Sequence, residues 1–392
     1  MAKITTTKTH TSGIALGGIG SGSVELLPDG EFHYWQIANP PRLTRISFDK
    51  KVDDGESSTG ALSFWVRAKK ENSKPIIRKL GMKTDADDFT YRMFAWNKPV
   101  ERIDFDGRFP VCDLDYIDAD LPCKVSLRAV SPFMPHNSDI SATPGFYLDF
   151  TIENPVLWNS ENPQLYTLLI SVDGEVIPFK IGIKKIEFRG NVAYVNNQPI
   201  KLYGINRHDS HPETGYYCDR EHMLRDIHII KQGNCNTVRT SHYPNAPEFL
   251  ELCDEYGLMV VDEADIETHG AWHIKAPAGD NCTISHDLKW EGRYVDRVSR
   301  MVCRDRNHPS ITMWSLGNEA WGYNCQDSCY DYIKNSGSKI PIHYESVVHT
   351  KRFAYDVISE MYPEQEKVKE IGAKTFKDKR YFDKPYFMCE YV

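Results

Sequence analysis

From about residue 200 onward, short apolar runs ending in polar side chains alternate with amphipathic stretches of helical length. This alternation restricts the fold more than any other feature of the sequence, because it is the signature of repeated βα units. The runs IKLYGIN, NTVRTSH, LMVVDEAD, ITMWSLGN, IPIHYES, DVISEMY and PYFMCEY read as strands. Between them DREHMLRDIHIIKQG, PEFLELCDEYG, WEGRYVDRVSRMVCRD and EQEKVKEIG read as helices, with Leu224, Ile227, His228 and Lys231 at successive helical positions of the first. Seven repeats point to a (β/α) barrel, which closes with eight. The seventh run reaches Tyr391, next to Val392, so residues 200–392 are expected to form an incomplete (β/α)8 TIM-type barrel, truncated after strand seven.

Residues 1–153 read differently. VELLPDGEFHYW, SFWVRAKK, IDFDG, KVSLRAVSPF and FYLDFTIEN are β-favouring runs broken by turn signals, with a hairpin turn at Pro28–Gly30. Aromatics alternating with polar residues in FHYWQI and the lack of long helical periods predict an all-β sandwich of low helix content. Residues 154–199 hold a few further strands, LYTLLISVD, VIPFKIGIKKIEF and AYVNNQPI, and are expected as a short β connector.

Composition narrows the function. Lys+Arg 47 against Asp+Glu 55 leaves a net charge of -8, so no overall positive field draws nucleic acid or anionic lipid. No run of about 18 apolar residues and no signal-type apolar segment occurs, and a cytoplasmic protein without a membrane partner is expected. The ten cysteines, Cys112 with Cys123 and Cys325 with Cys329 among them, lack zinc-type spacing and read as reduced thiols. Gly17, Gly18, Gly20 and Gly22 precede a strand and turn rather than a helix N-terminus, which removes a phosphate-cradle reading.

In such a barrel the chemistry sits where strands end. The strand ends carry Asn318 and Glu319, Glu390, Glu267 and His269, His242 with Arg239 just inside, Arg207 and His208, and Tyr362. Two carboxylates from different strands, Glu319 and Glu390, suit glycosidic bond hydrolysis, in which one protonates the leaving oxygen and the other attacks or activates water; a salt-bridged rim pair is the plainer reading. Glu267 and His269, with a third carboxylate, could hold a hard divalent cation, or simply hydrogen-bond to each other. His208, His211 and His242 also fit ordinary core or surface imidazoles. Asp262, Glu263 and Asp265 form an acidic cluster whose default role is pairing with Arg207 or Arg239.

The motifs NRHDSHPETG, VRTSHYPN, VVDEADIETHG, DRNHPSITMWSLGNEA and FMCEY, in that order, resemble the β-galactosidases of glycoside hydrolase family 2. PVLWNSENPQLYTL is similar to the last strands of the immunoglobulin-like domain that precedes the barrel in that family. The stretches GIALGGIGSGSVELLPDGEFHYWQIANP, RFPVCDLDY and SLRAVSPFMPHNSD resemble the N-terminal β-domain of the non-lysosomal glucosylceramidases, family 116. The resemblance thus reads as a chimera in which the second domain arrives without its (α/α) catalytic barrel.

The first resemblance implies a retaining β-galactosidase acting on terminal β-D-galactosides. Glu319 is implied as acid/base, Glu390 as nucleophile, Asn318 as partner of the sugar 2-hydroxyl, His208 and His242 as sugar contacts, and Tyr362 and Arg239 as supports of the nucleophile. Glu267, His269 and Glu319 are implied as Mg2+ ligands. Position 210 is Ser where the family usually has His, and Trp321 replaces a small residue. The competing expectation is a catalytically inactive fusion fragment, a carbohydrate-binding or assembly module; exposed barrel edges would in either case favour a homo-oligomer.

Overall fold

In a computed structural model, which describes residues 3–37, 62–68, 74–82, 98–143, 145–172, 175–271 and 283–391, side chains along Arg102–Arg108, Val111–Ile117 and Lys124–Val130 are buried at every second position. That period of two puts Ile103, Phe105, Leu114, Tyr116 and Leu127 on one inner face. The three strands form an antiparallel sheet flanked by Ile4–Thr6 and Tyr147–Glu153. Leu62–Ala68 and Ile76–Lys79 join Tyr166–Val172 and Glu175–Ile181 in a four-stranded sheet, and Ile14–Leu16, Gly22–Leu26 and Phe32–Ile37 form a three-stranded one. The expected hairpin turn joins the last two strands, with Gly30 at φ +82° donating its N–H to the Leu27 carbonyl. Among the described residues before 155, the only helix is the turn Ser138–Ser141. The alternation expected in FHYWQI rests on side chains that, beyond His33, lie outside the described residues.

The chain divides into two units, residues 1–155 with 166–180 and residues 156–165 with 181–392. The stretch 154–199 is shared between them: Tyr166–Val172 pairs with Leu62–Ala68 in the first unit, whereas Ile186–Arg189, Val192–Val195 and Gln198–Ile200 make a small sheet in the second.

The second unit holds all seven runs read as strands. β1 (Gly204–Arg207), β2 (Thr237–Thr240), β3 (Met259–Glu263), β4 (Ile311–Ser315) and β5 (Ile342–His343) form a parallel sheet in chain order. β6 (Ile358–Met361) and β7 (Tyr386–Glu390) pair with each other. Every residue of β2, β3 and β4 is buried, as expected of parallel strands covered on both faces.

Among the described residues five helices of eight residues or more accompany these strands: α1 (Arg220–Gln232), α2 (Pro247–Tyr256), α3 (Glu291–Asp305), α4 (Asn324–Asn335) and α5 (Gln365–Gly372). Asp219 caps α1 by accepting from the His222 N–H. Its buried side runs through Met223, Ile227 and Ile230 with Leu224 partly buried beside them, whereas His228 lies at the surface, edge-on to Tyr256. α2 has Pro247 in its first turn and ends at Gly257 with φ +71°. α4 was not among the expected helices; Cys325, Cys329 and Ile333, four residues apart, form its buried stripe. No helix among the described residues is long and apolar enough to cross a membrane.

Candidate active site

The C-terminal ends of the parallel strands converge on Arg239, whose side chain is 2% exposed. A buried guanidinium needs carboxylates and hydrogen-bond acceptors to be tolerated. Its Nε donates to Glu263 Oε2 at 2.7 Å, Nη2 to Glu263 Oε1 at 3.1 Å and Asn318 Oδ1 at 2.9 Å, and Nη1 to Glu390 Oε1 at 2.8 Å. One side chain of β2 therefore ties together the ends of β3, β4 and β7.

Glu263 also accepts from Ser315 Oγ at 2.6 Å and sits 2.8 Å from His242 Nδ1. Burial alone would raise its pKa, but Arg239, His242 and Ser315 together outweigh that and hold it at about 2. The ionised carboxylate selects the His242 tautomer that carries its proton on Nδ1.

Glu390 has a donor for each carboxylate oxygen, Arg239 on Oε1 and the Tyr362 phenol on Oε2 at 2.6 Å. Tyr362 lies just beyond β6 at φ +48° and donates its backbone N–H to the Glu390 carbonyl. The bond to Glu390, then the charge of that carboxylate, raise the phenol's pKa.

Asn318 and Glu319 follow Gly317, which stands at φ +114° with Ile266 O only 2.4 Å from where a Cβ would lie. Only glycine fits there. The Asn318 N–H donates to Ile266 O at 2.8 Å, and its Nδ2 to Glu267 Oε1 at 3.3 Å. Glu319 itself is held at φ +29° with its N–H donating to the buried Glu345 carboxylate at 2.8 Å. A second strained residue, Trp321 at φ +48°, packs its ring 5.8 Å from that of His349.

Glu267, His269 and Glu319 each bring a ligand atom to within 4.8 Å of the others, and His269 Nδ1 contacts Glu319 Oε2. Two carboxylates and an imidazole are a donor set that fits a hard divalent cation. His208 stands edge-on to His242, ring centroids 5.4 Å apart. Burial and then His242 lower its pKa, against the opposing pull of Glu267, Glu263 and Glu390.

The nine candidates, Glu319, Glu390, Asn318, His208, His242, Tyr362, Arg239, Glu267 and His269, thus meet in one contact network. Glu263 stands at its centre, although the sequence offered it only as an ion-pair partner. Glu345 was missed, yet it too ends an apolar run, IPIHYES. Of the rest of the acidic cluster, Asp262 is buried and its pKa is raised by burial and by Asp305, while Asp265 lies 3.9 Å from Arg297. Arg207 pairs with Asp209 and Asp226.

Residues 186–392 match the family model described as glycosyl hydrolases family 2, TIM barrel domain. Residues 13–174 match that described as beta-glucosidase 2, glycosyl-hydrolase family 116 N-term. The chain is 41% identical over 252 residues to a beta-galactosidase of Staphylococcus xylosus, covering 62% of this chain and 25% of that protein. It is 42% identical over 237 residues to one of Pectobacterium atrosepticum, covering 57% and 22%. It therefore spans about a quarter of the length of these relatives. The fold resembles that of a beta-D-glucuronidase of Dictyoglomus thermophilum, with TM-score 0.50, 22% identity, and 74% of this chain and 53% of the other covered. It also resembles a beta-glucuronidase of an uncultured Clostridium, with TM-score 0.53, 19% identity, and 74% and 52% covered.

Proposed function

The chain belongs to the family 2 glycosyl hydrolases through their TIM-barrel domain, and from that premise we propose that it carries a retaining β-galactoside hydrolase site. In this reading residues 200–392 form a (β/α) barrel of seven strands, and the N-terminal sheets form a β-sandwich scaffold. Glu390 is the nucleophile and Glu319 the acid/base. The observation that carries the reading is the shared guanidinium of Arg239, which bonds both Glu390 and Asn318, the neighbour of Glu319.

Glu390, oriented by Arg239 and Tyr362, attacks the anomeric carbon while Glu319 gives its proton to the leaving oxygen. This forms a covalent galactosyl ester. Glu319, now a carboxylate, takes a proton from water as that water attacks the same carbon and frees Glu390. Asn318 accepts from or donates to the 2-hydroxyl, a contact that strengthens as positive charge develops on the ring. His208 and His242 contact the sugar. Glu267, His269 and Glu319 would hold Mg2+, which when bound supplies a fixed positive charge beside the acid/base carboxylate.

A 2-fluorinated galactoside with an activated leaving group tests the assignment, because its glycosyl ester is slow to hydrolyse. Mass spectrometry should find one sugar adduct, on the peptide bearing Glu390. An adduct on another residue removes the assignment.

A further inference from the structure

β4 lies between β3 and β5 in the parallel sheet. Its pairing with β5 ends on the bond from the Leu316 N–H to the His343 carbonyl, 3.0 Å long. Beyond that bond Gly317 turns the chain at φ +114°, and on the other side Glu345 opens the short helical turn Glu345–His349. The next two amides of the turn are then held from the two flanking elements. The Asn318 N–H donates to the Ile266 carbonyl after β3 at 2.8 Å, and the Glu319 N–H to the Glu345 carboxyl group after β5, also at 2.8 Å. A side chain thus continues the pairing of β4 and β5 where backbone pairing has stopped.

Glu319 has φ +29°, a conformation that a residue with a Cβ does not adopt by its own preference and keeps only where its surroundings impose it. Glu345 is 1% exposed, so the acceptor that imposes it is itself fixed by packing. The Glu319 carboxyl group points from this turn towards Glu267 and His269. A general acid works only within hydrogen-bond reach of the leaving oxygen, and misplacement by about 1 Å costs on the order of a hundredfold in rate.

We propose that Glu345 is a positioning residue for Glu319: by holding the Glu319 amide it sets where the acid/base carboxyl group stands, and so controls the hydrolysis of galactosides whose leaving group must be protonated. The role rests on the hydrolase reading above. Glu345 acts through the backbone of Glu319 and not on the sugar, so its contribution falls on proton transfer and not on the attack by Glu390.

Two substrates separate these steps in the full chain with Mg2+: methyl β-galactoside, whose alkoxide cannot leave without a proton, and dinitrophenyl β-galactoside, whose phenolate can. Glu345→Ala should lower kcat/KM for the first roughly a hundredfold and for the second by no more than about threefold. Azide should speed release of dinitrophenolate by this variant and not by the unaltered chain, because its nitrogen attacks the anomeric carbon as the bond to Glu390 breaks and needs no base. Glu345→Gln, whose amide oxygen accepts the same N–H, should restore both rates. Glu345→Asp, which keeps the carboxyl group but withdraws it by one methylene, should show the same split to a smaller extent, so the role is read even where Glu345→Ala does not fold. An equal fall on the two substrates or none in the folded variants, no gain from azide, or a split that Glu345→Gln shares overturns the positioning role and leaves the hydrolase reading standing. No hydrolysis of either substrate by the unaltered chain overturns both.

Discussion

Arg239 and Glu263 form the kind of buried pair whose stability depends on complete pairing: removing one partner strands the other charge in a dry interior. Glu263, held at about 2, contributes stability that is present above the ordinary carboxylate range and lost as pH falls towards its folded value. His343 works in the same direction, although it is held neutral rather than charged. It is fully buried on β5, with Nδ1 3.1 Å from Ser359 Oγ and its ring against Phe387. Burial and then Arg239 push its pKa down from 6.5 to about 3. The unfolded chain takes up a proton below 6.5 that the folded chain refuses, so stability falls by about 1.4 kcal/mol per pH unit from there towards 3. His343→Gln should flatten that part of the profile, read by urea unfolding at neutral pH and at about pH 5; an unchanged slope would exclude His343 as the source. At this scale the sequence exposed the candidates because each ends an apolar run, but not their partners. Nothing in VVDEAD distinguishes Glu263, the hub, from Asp262 or Asp265; only its placement opposite Arg239, 24 residues away, does so.

The strands were legible because each is an apolar run closed by a polar residue, and α1 and α2 because Asp219 and Pro247 mark their starts. α4 was obscured by its own stripe, in which Cys325 and Cys329 invite a reading as thiols rather than as small apolar residues facing the core. The break between β5 and β6 was hidden for another reason. Asp356 Oδ2 accepts the Ile342 N–H at 3.0 Å while the Asp356 N–H donates to the Ile342 carbonyl at 3.1 Å, so a side chain replaces a ladder rung, which hydrophobic patterning does not record. The turn after β4 is the most constrained element of the site. Gly317→Ala should push the Asn318–Glu319 backbone off Ile266, lower stability by about 1–3 kcal/mol and lower kcat more than it raises KM. Wild-type stability and turnover in that variant would show that the turn has slack.

For the whole molecule, the two family matches adjoin along the chain, as the sequence motifs indicated, whereas the division of residues 154–199 between two units was not visible in a run of short strands. β1 pairs with β2 on one side; among the described residues no strand pairs with its other edge, where Asn206 Nδ2 donates to the Cys389 carbonyl at 3.1 Å. Tyr203, Ile205 and Met388 are exposed in this region. Exposed apolar side chains beside that edge favour association between copies, and sedimentation velocity across a hundredfold concentration range should show self-association; one monomeric species throughout would contradict it. In the proposed reading Glu319 and Glu390 hydrolyse β-galactosides, with Arg239 bonded to Glu390 and to Asn318, the neighbour of Glu319. The most direct test of that reading is release of nitrophenol from nitrophenyl β-galactoside by the purified chain with Mg2+, beside Glu390→Gln. Turnover is expected from the unaltered chain and not from the variant; no turnover in either protein, or turnover that survives Glu390→Gln, would contradict the assignment.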